Sequence, residues 1–139
     1  MNIKRIVVGN LKENCYILIK DNKAIIVDPG DEPEKIECEL TELNVVGILL
    51  THNHFDHCGA LSYFENKYNL KHNEEIEYFD YEIIPTPGHS KDSLCFYFPD
   101  EKIMITGDFI FKDTIGRMDL PGGSIIDMKN SLEKISKYS

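Results

Sequence analysis

The feature that most constrains this chain is a polar run at residues 51–59 (THNHFDHCG), which directly follows the apolar stretch 45–50. The apolar stretch predicts a buried strand, so the polar run begins where a strand ends. Side chains alternate in an extended segment, which puts the imidazoles of His52 and His54 on the same side and lets them share one ion. Because neutral imidazole is a good ligand for zinc and related ions, the run predicts a metal site.

Further ligand-type residues follow other strands. Asp56 and His57 lie in the turn after His54 and can hold a second ion, while His89 follows a Pro-Gly turn and Asp108 follows a short apolar strand. Asp108 can bridge two ions through its carboxylate. Burying so many polar groups without a metal would cost several kcal/mol, roughly 2–7 kcal/mol for each unpaired group. These residues therefore strengthen the prediction of a metal site.

The hydrophobic pattern predicts an α/β (α+β) chain in which strands and helices are mixed. Strands are predicted at residues 3–8, 14–19, 23–27, 45–50, 75–79, 81–85, 94–98 and 103–105, and the first three should form an antiparallel meander. Helices are predicted at residues 32–43, 59–68 and 125–137, the last capped by Ser124.

Length and charge limit the classes of protein that this chain can belong to. Its 139 residues suit one domain, residues 1–139, with a core of its own. A net charge of −9 repels phosphate backbones, so nucleic acid is not an expected partner. We find no apolar run long enough to span a bilayer and no signal peptide, and we expect a cytoplasmic protein with no membrane partner. The 4 cysteines form no CxxC pair and are expected to be free thiols.

Several segments together resemble a known family. Residues 51–59, 86–90 (TPGHS) and 106–108 (TGD) resemble the signature of the metallo-β-lactamase superfamily. Residues 115–123 (IGRMDLPGG), and 13–16 (ENCY) followed by 28–30 (DPG), are similar to the glyoxalase II-like (hydroxyacylglutathione hydrolase-like) branch. The resemblance covers nearly the whole chain, and its elements occur in the family's order.

The resemblance implies an αββα metallo-β-lactamase sandwich with a two-metal site at the sheet edges. It implies that His52, His54 and His89 hold the first metal, that Asp56 and His57 hold the second, and that Asp108 bridges the two. Zinc is the expected ion, bound as one or two per chain, with iron and manganese as alternatives.

The sequence also departs from the family's pattern. We expect a reduced fold that lacks the final C-terminal strand, the last metal-binding histidine and the helical domain of full-length glyoxalase II. The interval between His57 and His89 is also shorter than usual, and the loop and strand expected after Asn69 are missing. We therefore predict a weaker second metal site.

The resemblance predicts a metal-dependent hydrolase of thioesters of the hydroxyacylglutathione type. A metal-bound hydroxide would attack the carbonyl carbon, and Asp56 would orient that hydroxide as a catalytic residue. The alternatives are a persulfide dioxygenase or phosphoester hydrolase on the same scaffold, or a truncated metal-binding domain with little activity.

Three smaller predictions concern the surroundings of the site. Arg117 either binds a substrate carboxylate or pairs with Asp119 to hold its loop. Ser90, Asp92 and Ser93 either support the metal ligands or are ordinary turn residues. The expected partner is a small-molecule substrate, and a homodimer in which a second copy covers an open sheet edge is a further expectation.

Overall fold

The computed structural model describes residues 1–138, and the chain divides into two compact units. Unit 1 comprises Met1–Tyr78, and unit 2 begins at Phe79. The single domain predicted over residues 1–139 stays a prediction. None of the helices in residues 1–138 combines the length and the apolar character that a membrane crossing requires.

Unit 1 is a four-stranded sheet with three short helices. Its elements are β1 (Asn2–Val8), β2 (Glu13–Lys20), β3 (Lys23–Val27), α1 (Pro33–Glu37), β4 (Asn44–Leu49), α2 (Phe55–Cys58) and α3 (Leu61–Tyr68). The strand order is β1-β2-β3-β4, with the first two pairings antiparallel and the β3–β4 pairing parallel. The predicted antiparallel meander is confirmed.

Local turn chemistry explains the order of these strands. Asp21 and Asn22 both have positive φ, 50° and 64°, and they form the two-residue loop between β2 and β3. Aspartate and asparagine tolerate this conformation, and such loops match the twist of an antiparallel pair. The parallel β4 needs a crossover instead, and α1 lies within it. Ile36 of α1 is fully buried and packs into the unit 1 core.

The outer edge of β4 is covered at its C-terminal end by Asn73 rather than by a strand. The backbone N–H of Asn73 donates to the carbonyl of Ile48 over 2.9 Å. Its side-chain oxygen accepts from the backbone N–H of Leu50 over 2.9 Å, and its amide nitrogen donates to the Leu50 carbonyl over 3.1 Å. One side chain therefore supplies the donor and acceptor that a neighbouring strand would offer.

We predict that Asn73→Gly destabilises the protein by about 1–3 kcal/mol, because the buried backbone N–H and carbonyl of Leu50 lose their hydrogen bonds to the Asn73 side chain. Glycine is chosen because Asn73 has a φ of 60°, so an alanine would add backbone strain. Urea unfolding followed by circular dichroism measures the change. Asn66→Ala, on an exposed position of α3, should stay within about 0.5 kcal/mol of the wild type. Equal stability of Asn73→Gly and wild type would contradict the role of this edge cover.

Unit 2 contains a three-stranded sheet, a small hairpin and one longer helix. Its elements are β5 (Glu82–Pro85), β6 (Leu94–Phe98), β7 (Ile103–Ile105), β8 (Ile110–Phe111), β9 (Thr114–Ile115) and α4 (Ile125–Ile135). The sheet order is β5-β6-β7 with antiparallel pairings, and β8 pairs with β9. Ser124 caps α4 as predicted, since its hydroxyl accepts from the backbone N–H of Asp127 over 3.2 Å.

Two predicted elements differ from the structure. The predicted helix 32–43 is regular only over Pro33–Glu37, and residues up to Leu43 continue as tight i→i+3 turns. The predicted strand 75–79 is wrong, because these residues form turns and irregular structure. Ile76 and Phe79 are its buried residues, and Ile76 packs where a side chain at Gly47 would otherwise lie. The two are three residues apart, which is not the alternate spacing of a strand buried on one face.

Candidate metal centre

Unit 1 brings three imidazoles together immediately after β4. His52 and His57 are buried and His54 is half-buried. The ring centroids of His52 and His54 lie 4.6 Å apart, and those of His52 and His57 lie 4.2 Å apart. The end of β4 and the short helix α2 thus create one compact histidine cluster from residues that are close in sequence.

The buried carboxylate of Asp28, directly after β3, holds this segment. Its Oδ1 accepts from the backbone N–H of Thr51 over 2.7 Å, and its Oδ2 accepts from the Thr51 hydroxyl over 2.7 Å. The same Oδ2 lies 2.9 Å from Nδ1 of His57. A carboxylate only accepts hydrogen bonds, so in a neutral His57 the proton is on Nδ1 and Nε2 is the unprotonated ring nitrogen.

The same reasoning extends to His52 through Thr51. The Thr51 hydroxyl lies 3.0 Å from Nδ1 of His52. Its only proton is already donated to Asp28, so the hydroxyl accepts from Nδ1 of His52. His52 therefore also presents an unprotonated Nε2, the form in which an imidazole binds a metal. Asp28 thus sets the tautomers of two histidines, one directly and one through a threonine.

A second buried carboxylate, Glu13 of β2, accompanies Asp28. Its Oε1 lies 3.4 Å from Nδ1 of His57. Burial, together with the nearby Glu13 and Asp28 carboxylates, raises the pKa of the Cys15 thiol well above its usual value. The Cys15 thiol therefore stays protonated at neutral pH, and it supplies no nucleophile to this centre.

Glycines allow the turn after β3 to lie directly against the histidine segment. A Cβ on Gly30 would overlap the carbonyl oxygen of Asp56, and a Cβ on Gly59 would overlap the carbonyl oxygen of Gly30. The backbone N–H of Ala60 donates to the carbonyl of Pro29 over 2.9 Å. The close approach that these glycines permit brings the Asp28 carboxylate within reach of Thr51 and His57.

Asp56 and His57 form the first of two similar pairs. Oδ2 of Asp56 lies 3.6 Å from Nε2 of His57. This distance is too long for a hydrogen bond. Two ligand atoms on one tetrahedral zinc ion, with bonds near 2.0–2.1 Å, lie about 3.3 Å apart, so the pair suits a shared ion.

Unit 2 contains the second pair, built from His89 and Asp108. Nε2 of the buried His89 lies 3.6 Å from Oδ2 of Asp108. Nδ1 of His89 lies 2.8 Å from the backbone carbonyl oxygen of Arg117. A carbonyl oxygen cannot donate, so Nδ1 again carries the proton and Nε2 again faces a carboxylate.

Helix α4 holds the loop that carries His89. The carbonyl of Gly88 accepts from the backbone N–H of Ser124 over 2.8 Å, and the carbonyl of Pro87 accepts from the Ser131 hydroxyl over 2.7 Å. A Cβ on Gly88 would lie 2.6 Å from Cα of Met128, so only glycine fits against this helix. These contacts fix the position of the loop, and with it the position of His89.

The other polar residues predicted around the site bind one another. The Ser90 hydroxyl donates to Oδ1 of Asp92 over 2.7 Å and lies 2.7 Å from the Ser93 hydroxyl. Arg117 makes a bidentate pair with Asp119, with Nε–Oδ1 and Nη2–Oδ2 distances of 2.6 Å and 2.8 Å. The Arg117 guanidinium lowers the pKa of Asp119 to about 2. The Arg117 side chain therefore pairs within its own loop in this structure, and a contact with a substrate carboxylate stays a prediction.

The residues present fit a divalent metal ion. Three histidines have Nδ1 committed to an oxygen and Nε2 in the form that binds metals: His52, His57 and His89. Two carboxylates, Asp56 and Asp108, face an Nε2 atom at a distance too long for hydrogen bonding. Nitrogen and carboxylate ligands with oxygen-bound second nitrogens are the arrangement that zinc-type sites use.

Comparison with known sequences identifies the family. The sequence pattern of the Metallo-beta-lactamase superfamily matches this chain over residues 8–79 and 74–138. The chain belongs to the metallo-β-lactamase superfamily and has its mixed α/β fold. The two matched stretches meet at residues 74–79, within the interval between His57 and His89 that the sequence predicts to be shortened.

Curated relatives include hydrolases of the expected branch. The chain is 34% identical to the probable metallo-hydrolase YqgX of Bacillus subtilis over 165 residues, covering 89% of this chain and 78% of that protein. It is 28% identical to the hydroxyacylglutathione hydrolase GloC of Haemophilus influenzae, covering 95% of this chain and 82% of that protein. These relatives are consistent with a glyoxalase II-like branch and support a metallo-hydrolase.

Solved structures agree with the fold. The chain is similar to the BLEG-1 B3 metallo-beta-lactamase, with a TM-score of 0.93 and 28% identity over 99% of this chain and 87% of that chain. It is also similar to TTHA1623 in a di-iron-bound form, with a TM-score of 0.86 and 26% identity over 98% of this chain and 87% of that chain.

The residues that support the ligands are not evident from the sequence alone. Asp28 and Glu13 lie within segments that resemble the family, and the Arg117 carbonyl carries no sequence signal at all. The two acids do carry a signal, because Glu13 begins the apolar strand β2 and Asp28 directly follows β3, where burial without a partner would be costly.

We predict that Asp28→Asn weakens zinc binding by about 10- to 100-fold, because one of the two accepting oxygens becomes an amide nitrogen that only donates, so Thr51 and His57 lose part of their acceptors. Competition with a chromophoric chelator measures the affinity. Asp31→Asn, an exposed neighbour, should bind zinc as tightly as the wild type. Wild-type affinity in Asp28→Asn would refute the orienting role of this carboxylate.

Proposed function

We propose that this protein is a metal-dependent hydrolase of thioesters of the hydroxyacylglutathione type. The observation that carries the proposal is the set of histidines whose Nδ1 atoms are held by oxygens and whose Nε2 atoms lie near carboxylates. Membership of the superfamily and the resemblance to metallo-hydrolases support the same reaction class.

We propose the ligand assignment that the sequence predicts. His52, His54 and His89 would hold a first ion, Asp56 and His57 would hold a second, and Asp108 would bridge the two. Zinc is the proposed ion, in line with the oxygen and nitrogen ligand set. When bound, such an ion acidifies water and polarises a carbonyl group.

The chain's own residues have definite tasks in this reaction. In the neutral rings of His52 and His57, Asp28 holds the proton on Nδ1, directly for His57 and through Thr51 for His52, so Nε2 is the nitrogen that would bind an ion. The carboxylate of Asp56 is the half-buried acid beside His57, and it accepts a hydrogen bond from the attacking water and so orients it. Hydrolysis breaks the bond between carbonyl carbon and sulfur, releases the thiol and leaves a carboxylic acid.

A small cavity in unit 1 suits a short acyl group beside Asp56. It has a volume of about 90 Å³ and is lined in part by Leu11, Phe55, Asp31 and Asp56. Leu11 and Phe55 provide apolar contact for such a group. No lysine or arginine is among the described residues that line it, so a charged substrate would depend on the proposed metal ions for its cation.

The test is hydrolysis of a hydroxyacyl thioester of glutathione by the zinc-loaded protein. Loss of the thioester's ultraviolet absorbance should follow saturation kinetics and should stop when the metal is removed by a chelator. Asp56→Asn should lower kcat by about 100-fold or more, because it removes the group that positions water. Asp100→Asn, at an exposed position outside this cavity, is the matched control and should retain kcat. Turnover of a phosphodiester, or oxygen uptake with a persulfide by the iron-loaded protein, without thioester hydrolysis would reject the proposal.

We also predict that Leu11 and Phe55 contribute to substrate binding. Their side chains are 63% and 76% exposed, so truncation to alanine should leave the fold intact. Each substitution should raise KM for the thioester about fivefold, the equivalent of roughly 1 kcal/mol of lost apolar contact, with little change in kcat. Ile125→Ala, at an equally exposed position outside this cavity, should leave KM unchanged. An unchanged KM in both cavity variants would place the substrate elsewhere.

A further inference from the structure

We propose that Gly116 is a positioning residue for His89. It lets the backbone of residues 115–117, the His89-positioning loop, lie against Asp108 and bring the Arg117 carbonyl to Nδ1 of His89. The proposal rests on the proposed function in that His89 binds a metal through Nε2. Every contact that carries it lies within unit 2.

The space around Gly116 admits no side chain. A Cβ built there would overlap the backbone carbonyl oxygen of Asp108 and would lie 3.1 Å from Nδ1 of His89. The φ of Gly116 lies outside the left-handed region, so glycine is required here because there is no space for a side chain and not because of the backbone conformation. Gly116 is also buried, although the residues on either side of it are exposed. These facts indicate a close contact with two residues of the candidate metal centre.

The hairpin fixes the position from which the loop starts. β8 and β9 pair through Ile110 and Ile115, and the backbone N–H of Gly116 donates to the carbonyl of Phe109 over 3.0 Å. Phe109 is itself buried in the unit 2 core. The residue after Asp108 and the residue before Arg117 are therefore hydrogen-bonded to each other. This connection places the Arg117 carbonyl 2.8 Å from Nδ1 of His89.

The carbonyl determines which ring nitrogen of His89 carries the proton. Because a carbonyl oxygen only accepts, a neutral His89 must have its proton on Nδ1. The other nitrogen, Nε2, then has a lone pair available toward Asp108, 3.6 Å from its Oδ2. A side chain on Gly116 would push the loop away from His89 and remove this constraint. The ring would then be free to rotate or to place its proton on Nε2, which cannot bind a metal while protonated.

The backbone of Arg117, and not its side chain, makes this contact. The guanidinium points to Asp119 instead, and the Arg117 side chain is 60% exposed. Arg117→Ala keeps the carbonyl and removes the side chain, so it separates the two possibilities. Gly122→Ala is a second control, because it introduces strain at a φ of 89° in the same segment while its Cβ would meet no atom closer than 3.5 Å.

The experiment is nitrogen-15 NMR of the histidine rings in the metal-free full chain, at a pH at which His89 is neutral. The wild type, Arg117→Ala and Gly122→Ala should show His89 with its proton on Nδ1. Gly116→Ala should lose that state or mix it with the Nε2-protonated form. A wild-type His89 with its proton on Nε2 would overturn the proposal whether or not Gly116→Ala folds. Retention of the Nδ1 proton in folded Gly116→Ala, or its loss in Arg117→Ala, would also overturn it.

Zinc affinity gives the second readout. Gly116→Ala should bind zinc about 10- to 100-fold more weakly than the wild type, whereas Arg117→Ala and Gly122→Ala should bind it normally. Equal affinity of Gly116→Ala and wild type would count against the proposal. Absence of zinc binding in the wild type would instead refute the proposed function, and the ring-proton measurement would still decide the role of Gly116 in orienting His89.

Discussion

The histidine cluster of unit 1 depends on the hydrogen bonds that the buried carboxylate of Asp28 accepts. It lies at the end of β3 and accepts hydrogen bonds from the backbone and hydroxyl of Thr51 at the end of β4, and from His57 of α2. A buried carboxylate is costly unless its lone pairs are satisfied, so these bonds stabilise the fold and orient the histidines at once. The parallel pairing of β3 with β4 makes this possible, because it brings both strand ends to the same edge.

The two units use the same chemical rule with different partners. In each unit a histidine has Nδ1 held by an oxygen and Nε2 3.6 Å from a carboxylate, namely His57 with Asp56 and His89 with Asp108. Unit 1 uses a side-chain carboxylate as the oxygen, whereas unit 2 uses a backbone carbonyl. Both oxygens accept only, so both fix the same tautomer. Glycines in both units, Gly30 and Gly116, provide the space for these close approaches.

The last residues of unit 1 lie where the matches to the family pattern overlap. The alignment with the Bacillus subtilis relative spans 165 residues, more than the 139 residues of this chain, so that relative contains residues with no counterpart here. Matches to the family pattern meet at residues 74–79. Just before them, Asn73 bonds to the edge of β4 with its backbone and its side chain. A strand edge that lacks a neighbour needs such cover against pairing with other chains.

The sequence by itself determined the family, the strands that lead into the site and the ligand-type residues, because these features are local. Alternating histidines after an apolar strand and a capping serine before α4 can be recognised within a few residues. Only the tertiary structure decided that α1 ends early, that residues 75–79 form no strand, and that Asp28 and the Arg117 carbonyl orient the histidines. The contacts that orient the histidines join residues 23 to 29 positions apart, and a backbone carbonyl is the same in every residue. Its position can therefore be known only from the folded chain, whereas the identity of a histidine can be known from the sequence.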